Sequence, residues 1–163
     1  MPEVFPHLSI DNRQSLPVAE STLVEQLTAA LQQEQVASAE VAIAFVDDAE
    51  IRRINREFLD HDWPTDIISF SYADDESTVT NPAQPRGCGR ELDGELVVSV
   101  ETAARCAAAH GWSLHAELLL YCVHGLLHLC GYDDLTDDER PLMRRREREL
   151  LAAFGLSPQN LEE

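Results

Sequence analysis

The sequence predicts a single α+β domain, with a mixed sheet of about four strands packed against about five helices. Short runs with strand-type apolar patterning alternate with segments of helical period along the 163 residues. No internal repeat or long low-complexity tract interrupts them. One stretch, Ser113 to Cys130, is apolar nearly all round, which marks a helix buried at the centre of a domain rather than lying on its surface. A chain of this length forms one core that hides roughly 70% of the surface of the unfolded chain. Its hydrophobic and charged fractions, 44% and 26%, are those of an ordered globular protein.

The elements follow in order. Val4 to Ile10 reads as a first strand. Pro17, tolerated at a helix start, precedes Val24, Leu27 and Leu31 on one face. Val41 to Val46 is a short apolar run suited to a buried strand; Asp47 and Glu50 then have capping-box spacing ahead of Ile51, Ile54 and Phe58. Trp63-Pro64 breaks the chain before a strand over Ile67 to Tyr72. Ala73 to Arg90, rich in Asp, Pro and Gly, is expected to be an exposed, mobile loop. Leu92 to Val98 resumes as strand, Ser99 caps an Ala-rich helix, and Gly111 ends it. The apolar helix comes next and stops at Gly131; a second capping box, Thr136 with Glu139, opens the last helix.

The formal net charge is −18, and an acidic surface repels the phosphates on which nucleic-acid affinity rests. All 12 basic residues are arginine, and many fall in two clusters, Arg52, Arg53 and Arg56, then Arg140, Arg144, Arg145, Arg146 and Arg148. These are the candidate RNA contacts, although solvated helix faces paired with neighbouring Glu and Asp are the simpler reading of both. No apolar run is long enough to span a membrane and the N-terminus has no signal-peptide order, so a cytoplasmic protein is expected. Cys88, Cys106, Cys122 and Cys130 form no Cys-x-x-Cys pair and read as reduced, packing thiols.

Glu117, Tyr121, His124 and His128 share one stripe of the central helix. Two histidines four apart project side by side, and a catalytic zinc site needs three protein ligands plus an open position. The pair alone is common in proteins without metal. Here, however, the imidazoles sit in an otherwise apolar helix, where polar groups are costly unless satisfied, and a carboxylate-rich turn follows at once. Asp133 or Asp134 can return toward the same ion, and spacing does not choose between them. Two imidazoles and a carboxylate suit one Zn²⁺ per chain, and Ni²⁺ or Fe²⁺ would also accept them.

The run His124-Gly125-Leu126-Leu127-His128-Leu129-Cys130-Gly131-Tyr132-Asp133 resembles the signature of the YbeY family of metal-dependent ribosomal RNA maturation endoribonucleases. Asn55-Arg56-Glu57-Phe58, Asp62-Trp63-Pro64-Thr65-Asp66-Ile67-Ile68-Ser69-Phe70 and Gly94-Glu95-Leu96-Val97 are similar to its other characteristic stretches. The resemblance implies a fold like that of the zinc proteases, with the metal at the end of the buried central helix. It prefers Asp134 as the third ligand, where the family usually has histidine. It also exposes a second departure: the family's usual arginine after the aromatic residue of the Asn-Arg block is Leu59 here. Arg52 and Arg56 are the RNA-contact candidates on that helix, Arg56 lying one turn before Leu59.

The implied function is a single-strand-specific, metal-dependent endoribonuclease acting in late 16S rRNA 3′-end maturation and small-subunit quality control. The metal would activate a bound water. No side-chain general base is assigned: Gly125 stands where HExxH peptidases carry their catalytic Glu, and Glu95 and Asp133 read better as structural carboxylates. The implied partners are rRNA and a ribosomal protein or assembly GTPase, with no membrane. Two alternatives follow: a non-catalytic ribosome-assembly factor with a structural metal, favoured by Leu59 and the acidic charge, and a zinc peptidase, disfavoured by Gly125.

Overall fold

Val41, Ile43 and Phe45 alternate with Ala42, Ala44 and Val46 along the central apolar run, which forms β2 (Ser38–Val46). The computed structural model describes residues 6–60, 65–73 and 84–157. Val4, Trp63-Pro64 and positions 74–83 of the expected loop lie outside them. The other strands are β1 (His7–Asn12), β3 (Ile67–Ser71) and β4 (Glu91–Ser99). The sheet order is β1-β2-β4-β3, with β1, β2 and β4 parallel and β3 antiparallel on the edge. It is the mixed four-stranded sheet expected from the sequence.

The two faces of this sheet are separate. Val41, Ile43 and Phe45 of β2 and Leu92, Leu96 and Val98 of β4 belong to the main core with helices α1 (Glu20–Gln33) and α4 (Leu114–Leu129). Ala44, Val46, Ile68 and Val97 face the other way and are covered by Ile51 and Ile54 of α2 (Asp48–Leu59). α3 (Val100–His110) and α5 (Glu139–Ala152) complete the five helices.

Local sequence sets most helix ends. Ser99, Ser113 and Asp47 each accept a backbone N–H in the first turn of the helix they precede. Gly111 ends α3 at φ 77°, in the left-handed region. Both capping boxes form only their first half. Glu50 turns to Arg53 and Glu139 to Arg86 instead of back to the cap, because a guanidinium is a stronger partner for a carboxylate than a single backbone N–H. α1 begins at Glu20, three residues after Pro17. The Gln14 side chain binds both backbone groups of Leu16 and keeps the preceding segment out of helix.

Helix α4 is the centre of the molecule: 12 of its 16 residues are buried. It reaches the sheet at Gly125, where a Cβ would lie 2.7 Å from Ile67 Cδ1 and 2.8 Å from Leu96 Cδ2. Leu129, one turn on, lies over Gly94 of β4, where a Cβ would be 3.0 Å from both Leu129 methyls and 2.6 Å from the Phe70 carbonyl oxygen. That last neighbour is backbone and cannot rotate away. Gly94→Ala is therefore expected to force β3 from β4 and to destabilise by about 1–3 kcal/mol, read as a lower urea midpoint with an unchanged slope. An unchanged midpoint would show that the strand pair yields without cost.

Candidate metal centre

The last two turns of α4 carry His124 and His128 on the face turned toward α5. Their Nε2 atoms are 3.1 Å apart, with ring planes at 80°. Cys130 ends the helix, and Gly131 reverses the chain at φ 103°, while the Tyr132 N–H returns to the Leu127 carbonyl. This reversal brings Asp134 back: its Oδ2 lies 3.4 Å from His124 Nε2 and its Oδ1 3.7 Å from His128 Nε2. One ligand atom from each residue falls within 4.8 Å of the others, the group among the described residues able to hold an ion. All three side chains are half-buried, so one side of the cluster is open to solvent.

The turn points the two aspartates in different directions. Asp133 Oδ1 accepts the backbone N–H groups of Asp134 at 2.8 Å and Leu135 at 3.2 Å, which leaves it stabilising the turn while Asp134 faces the histidines. The turn is held from outside by Arg86, which donates to the Gly131 carbonyl at 3.2 Å, pairs with Glu139 and lies over the Tyr132 ring. Arg140 Nε donates to the Asp134 carbonyl at 3.3 Å.

Behind His124 stands a residue that the sequence reading does not single out. Glu147 of α5 is fully buried and its Oε2 bonds His124 Nδ1, while Oε1 accepts from Arg144 at 3.0 Å. The signal is present in the chain: Met143, Glu147, Leu150 and Leu151 have the i, i+4, i+7, i+8 spacing of a buried helical stripe, and a glutamate there needs a partner inside. The nearby Tyr132 backbone favours the charged form of His128, a weaker effect than the burial that opposes it.

Glu95 is on the far side of the sheet. It accepts from the Tyr72 hydroxyl at 2.9 Å and lines an acidic trough with His7, Glu40 and Asp93. Arg52 and Arg56 are exposed on α2, across the sheet from α4. Arg53 is taken up by Glu50 and Glu57, and Arg146 by Glu34 and Glu149, in keeping with the simpler reading of those two arginines. Glu117, the first member of the polar stripe, binds His110 and Trp112 and pins α3 to α4. The four cysteines are free, and burial pushes the Cys122 thiol up to about 12.

The family model for endoribonuclease YbeY matches residues 9–155. The chain belongs to the YbeY family. Among YbeY relatives, the endoribonuclease YbeY of Bacillus cereus is 38% identical over 152 residues, covering 90% of this chain and 94% of its own. That of Moorella thermoacetica is 42% identical over 153 residues, covering 91% and 97%. The solution structure of TM1509 from Thermotoga maritima, at 21% identity, has the same fold with a TM-score of 0.56 over 92% of this chain and 91% of that one. Leu59 is 42% exposed at the end of α2.

Burial opposes a charge on His124, but hydrogen bonds to Asp134 and Glu147 outweigh it and raise its pKa to about 9. The hydrogen bond from His124 lowers Asp134 to about 2. Burial, with the His124 charge beside it, lowers His128. In metal-free protein His124 therefore carries the proton between the two rings. Because its folded pKa lies above the ordinary 6.5, its stabilising contribution is complete below that value and is lost as pH rises through about 9. With chelator present, the melting temperature of the wild type should fall between pH 6.5 and 9 relative to that of His124→Gln. A difference that grows over this window would contradict the pairing.

Proposed function

We propose that this chain is a single-strand-specific, metal-dependent endoribonuclease of late 16S rRNA 3′-end maturation and small-subunit quality control, with one Zn²⁺ held by His124, His128 and Asp134. The observation that carries the reading is the convergence of two imidazole Nε2 atoms and one carboxylate at the open end of a buried helix. Two neutral imidazoles cannot face each other's lone pairs at 3.1 Å without a proton or a cation between them. The donor set, two nitrogens and one oxygen, is one that Zn²⁺ accepts and that Ni²⁺ or Fe²⁺ would share. When bound, such an ion acidifies a coordinated water and polarises a phosphoryl oxygen.

The chain's own residues orient and hold. Glu147 keeps Nδ1 of His124 engaged, which leaves Nε2 for the site. Asp133 fixes the turn so that Asp134 faces inward. Neither carboxylate weighed as a general base is placed to act as one, since Glu95 lies across the sheet and Asp133 is bound to backbone.

The whole chain, 1–163, acts as one catalytic domain in this reading, working in the cytoplasm. No described helix is long and apolar enough to cross a membrane. Its partners are rRNA and a ribosomal protein or assembly GTPase, and a net charge of −18 suits a basic ribosomal protein. Arg52 and Arg56 remain the candidate RNA contacts outside the metal site.

Protein purified without added metal should carry close to one transition-metal ion per chain and cleave a single-stranded rRNA fragment in a chelator-sensitive way. His128→Ala should abolish the metal. Asp134→Ala should weaken binding at least tenfold in chelator competition, no less than the loss that follows removal of a hydrogen-bond partner behind a ligand, whereas Asp133→Ala should bind as tightly as wild type. Equal retention by Asp134→Ala and wild type would remove Asp134 as ligand. RNA binding without turnover in the metal-loaded protein would favour the assembly factor, and casein turnover would favour a peptidase.

A further inference from the structure

We propose that Glu147, clamped by Arg144, is a positioning residue that fixes the tautomer and ring orientation of His124 and so sets how tightly the site holds its metal. This rests on the reading of His124 as a ligand. Glu147 lies on α5, 23 positions from His124 in sequence, and none of its surface is exposed. Its neighbours in the stripe, Met143, Leu150 and Leu151, are apolar and buried. A leucine or methionine would fill such a place without the desolvation a carboxylate suffers, so the carboxylate is kept for what it binds.

Both of its oxygens are occupied as acceptors. Arg144 Nη1 donates to Oε1 at 3.0 Å, and Oε2 meets His124 Nδ1. A carboxylate oxygen accepts and does not donate, so Nδ1 keeps its hydrogen, and Nε2, 3.4 Å from Asp134 Oδ2, is the nitrogen that gives up its proton to take an ion. A ring flip would turn a carbon toward Glu147 and leave a buried carboxylate oxygen without a partner. The clamp thus holds one of the two ring orientations throughout, and it selects one of the two neutral tautomers once Nε2 has given up its proton. Arg144 has a separate part. Its guanidinium, 26% exposed, offsets the buried charge of Glu147 beside a site that already contains the Asp134 carboxylate. The hydrogen bonds of Glu147 go to His124 and Arg144, so its effect is confined to one of the two histidines.

The test is Zn²⁺ affinity of the full chain by competition with a chromophoric chelator, together with ¹⁵N NMR of the histidine rings in the Zn²⁺-loaded protein. E147L, of similar size and suited to its apolar surroundings, should fold but bind Zn²⁺ about 10–100-fold more weakly, the loss expected when the partner behind a ligating histidine is removed. Its His124 resonances should show a mixture of tautomers while those of His128 are unchanged. In the double variant E147Q/R144M the amide oxygen is released from Arg144 and free to accept from Nδ1. It should recover most of the lost affinity and the single tautomer. E147L binding as tightly as wild type, or the double variant binding no better than E147L, would overturn the proposal while leaving the ligand assignment intact. A wild-type chain that binds no Zn²⁺ would instead overturn the ligand assignment and the proposal with it.

Discussion

Everything around the centre of this molecule follows from burying α4 on all sides. A helix exposed along one stripe can turn its polar residues to water. α4 has no fully exposed residue, so the polar side chains it carries draw partners from other elements. Glu117 near its start is met by His110 and Trp112, which fix α3 against it. His124 and His128 near its end are met by α5 and the turn after Gly131, which supply Glu147 and Asp134. The positions of α3 and α5 are in this sense consequences of three polar side chains in an apolar helix.

The arginines show a related economy of charge. Arg146 reaches Glu34, which is 1% exposed and also accepts the Gly87 N–H. Arg86 joins the segment before β4 to Glu139 and to the turn, Arg105 joins α3 to Asp48, and Arg144 holds Glu147. These cations stitch helices, loop and turn together, each engaged with a carboxylate of the fold. The surface left over is strongly acidic, consistent with the net charge of −18. RNA approaching such a surface gains little from long-range attraction, and a basic protein gains a good deal.

The fold was largely legible in the sequence because it rests on periodicity. The run Val41 to Val46, the stripe of α1 and the all-round apolar α4 each carry their period in consecutive residues, and Ser99, Ser113, Gly111 and Gly131 mark ends by local chemistry. The helix starts that were misplaced or half right, at Pro17, Asp47 and Thr136, were decided by side chains choosing other partners: Gln14 took the backbone of Leu16, and Arg53 and Arg86 took the two glutamates. The same distinction holds at the site. His124 and His128 are one turn apart on one helix and can be paired from spacing alone. Asp133 and Asp134 differ only in which way a turn points them, and Glu147 comes from another helix, so neither could be assigned by counting along the chain.

The close approach at Gly125 links packing to chemistry. In an HExxH site the residue after the first histidine is the glutamate that takes the proton from water. Here that position points into the sheet, where even a methyl group would fall within 3 Å of Ile67 and Leu96. A glutamate there would have to displace the Ile67 and Leu96 side chains from the contact between α4 and the sheet. The carboxylates left beside the histidines, Asp134 and Glu147, are both hydrogen-bonded to imidazole, and a carboxylate that must stay bonded to hold a site together is poorly placed to shuttle protons. The seating of the helix on the sheet therefore works against the peptidase arrangement, and the absence of a side chain at Gly125 is part of how that seating is achieved.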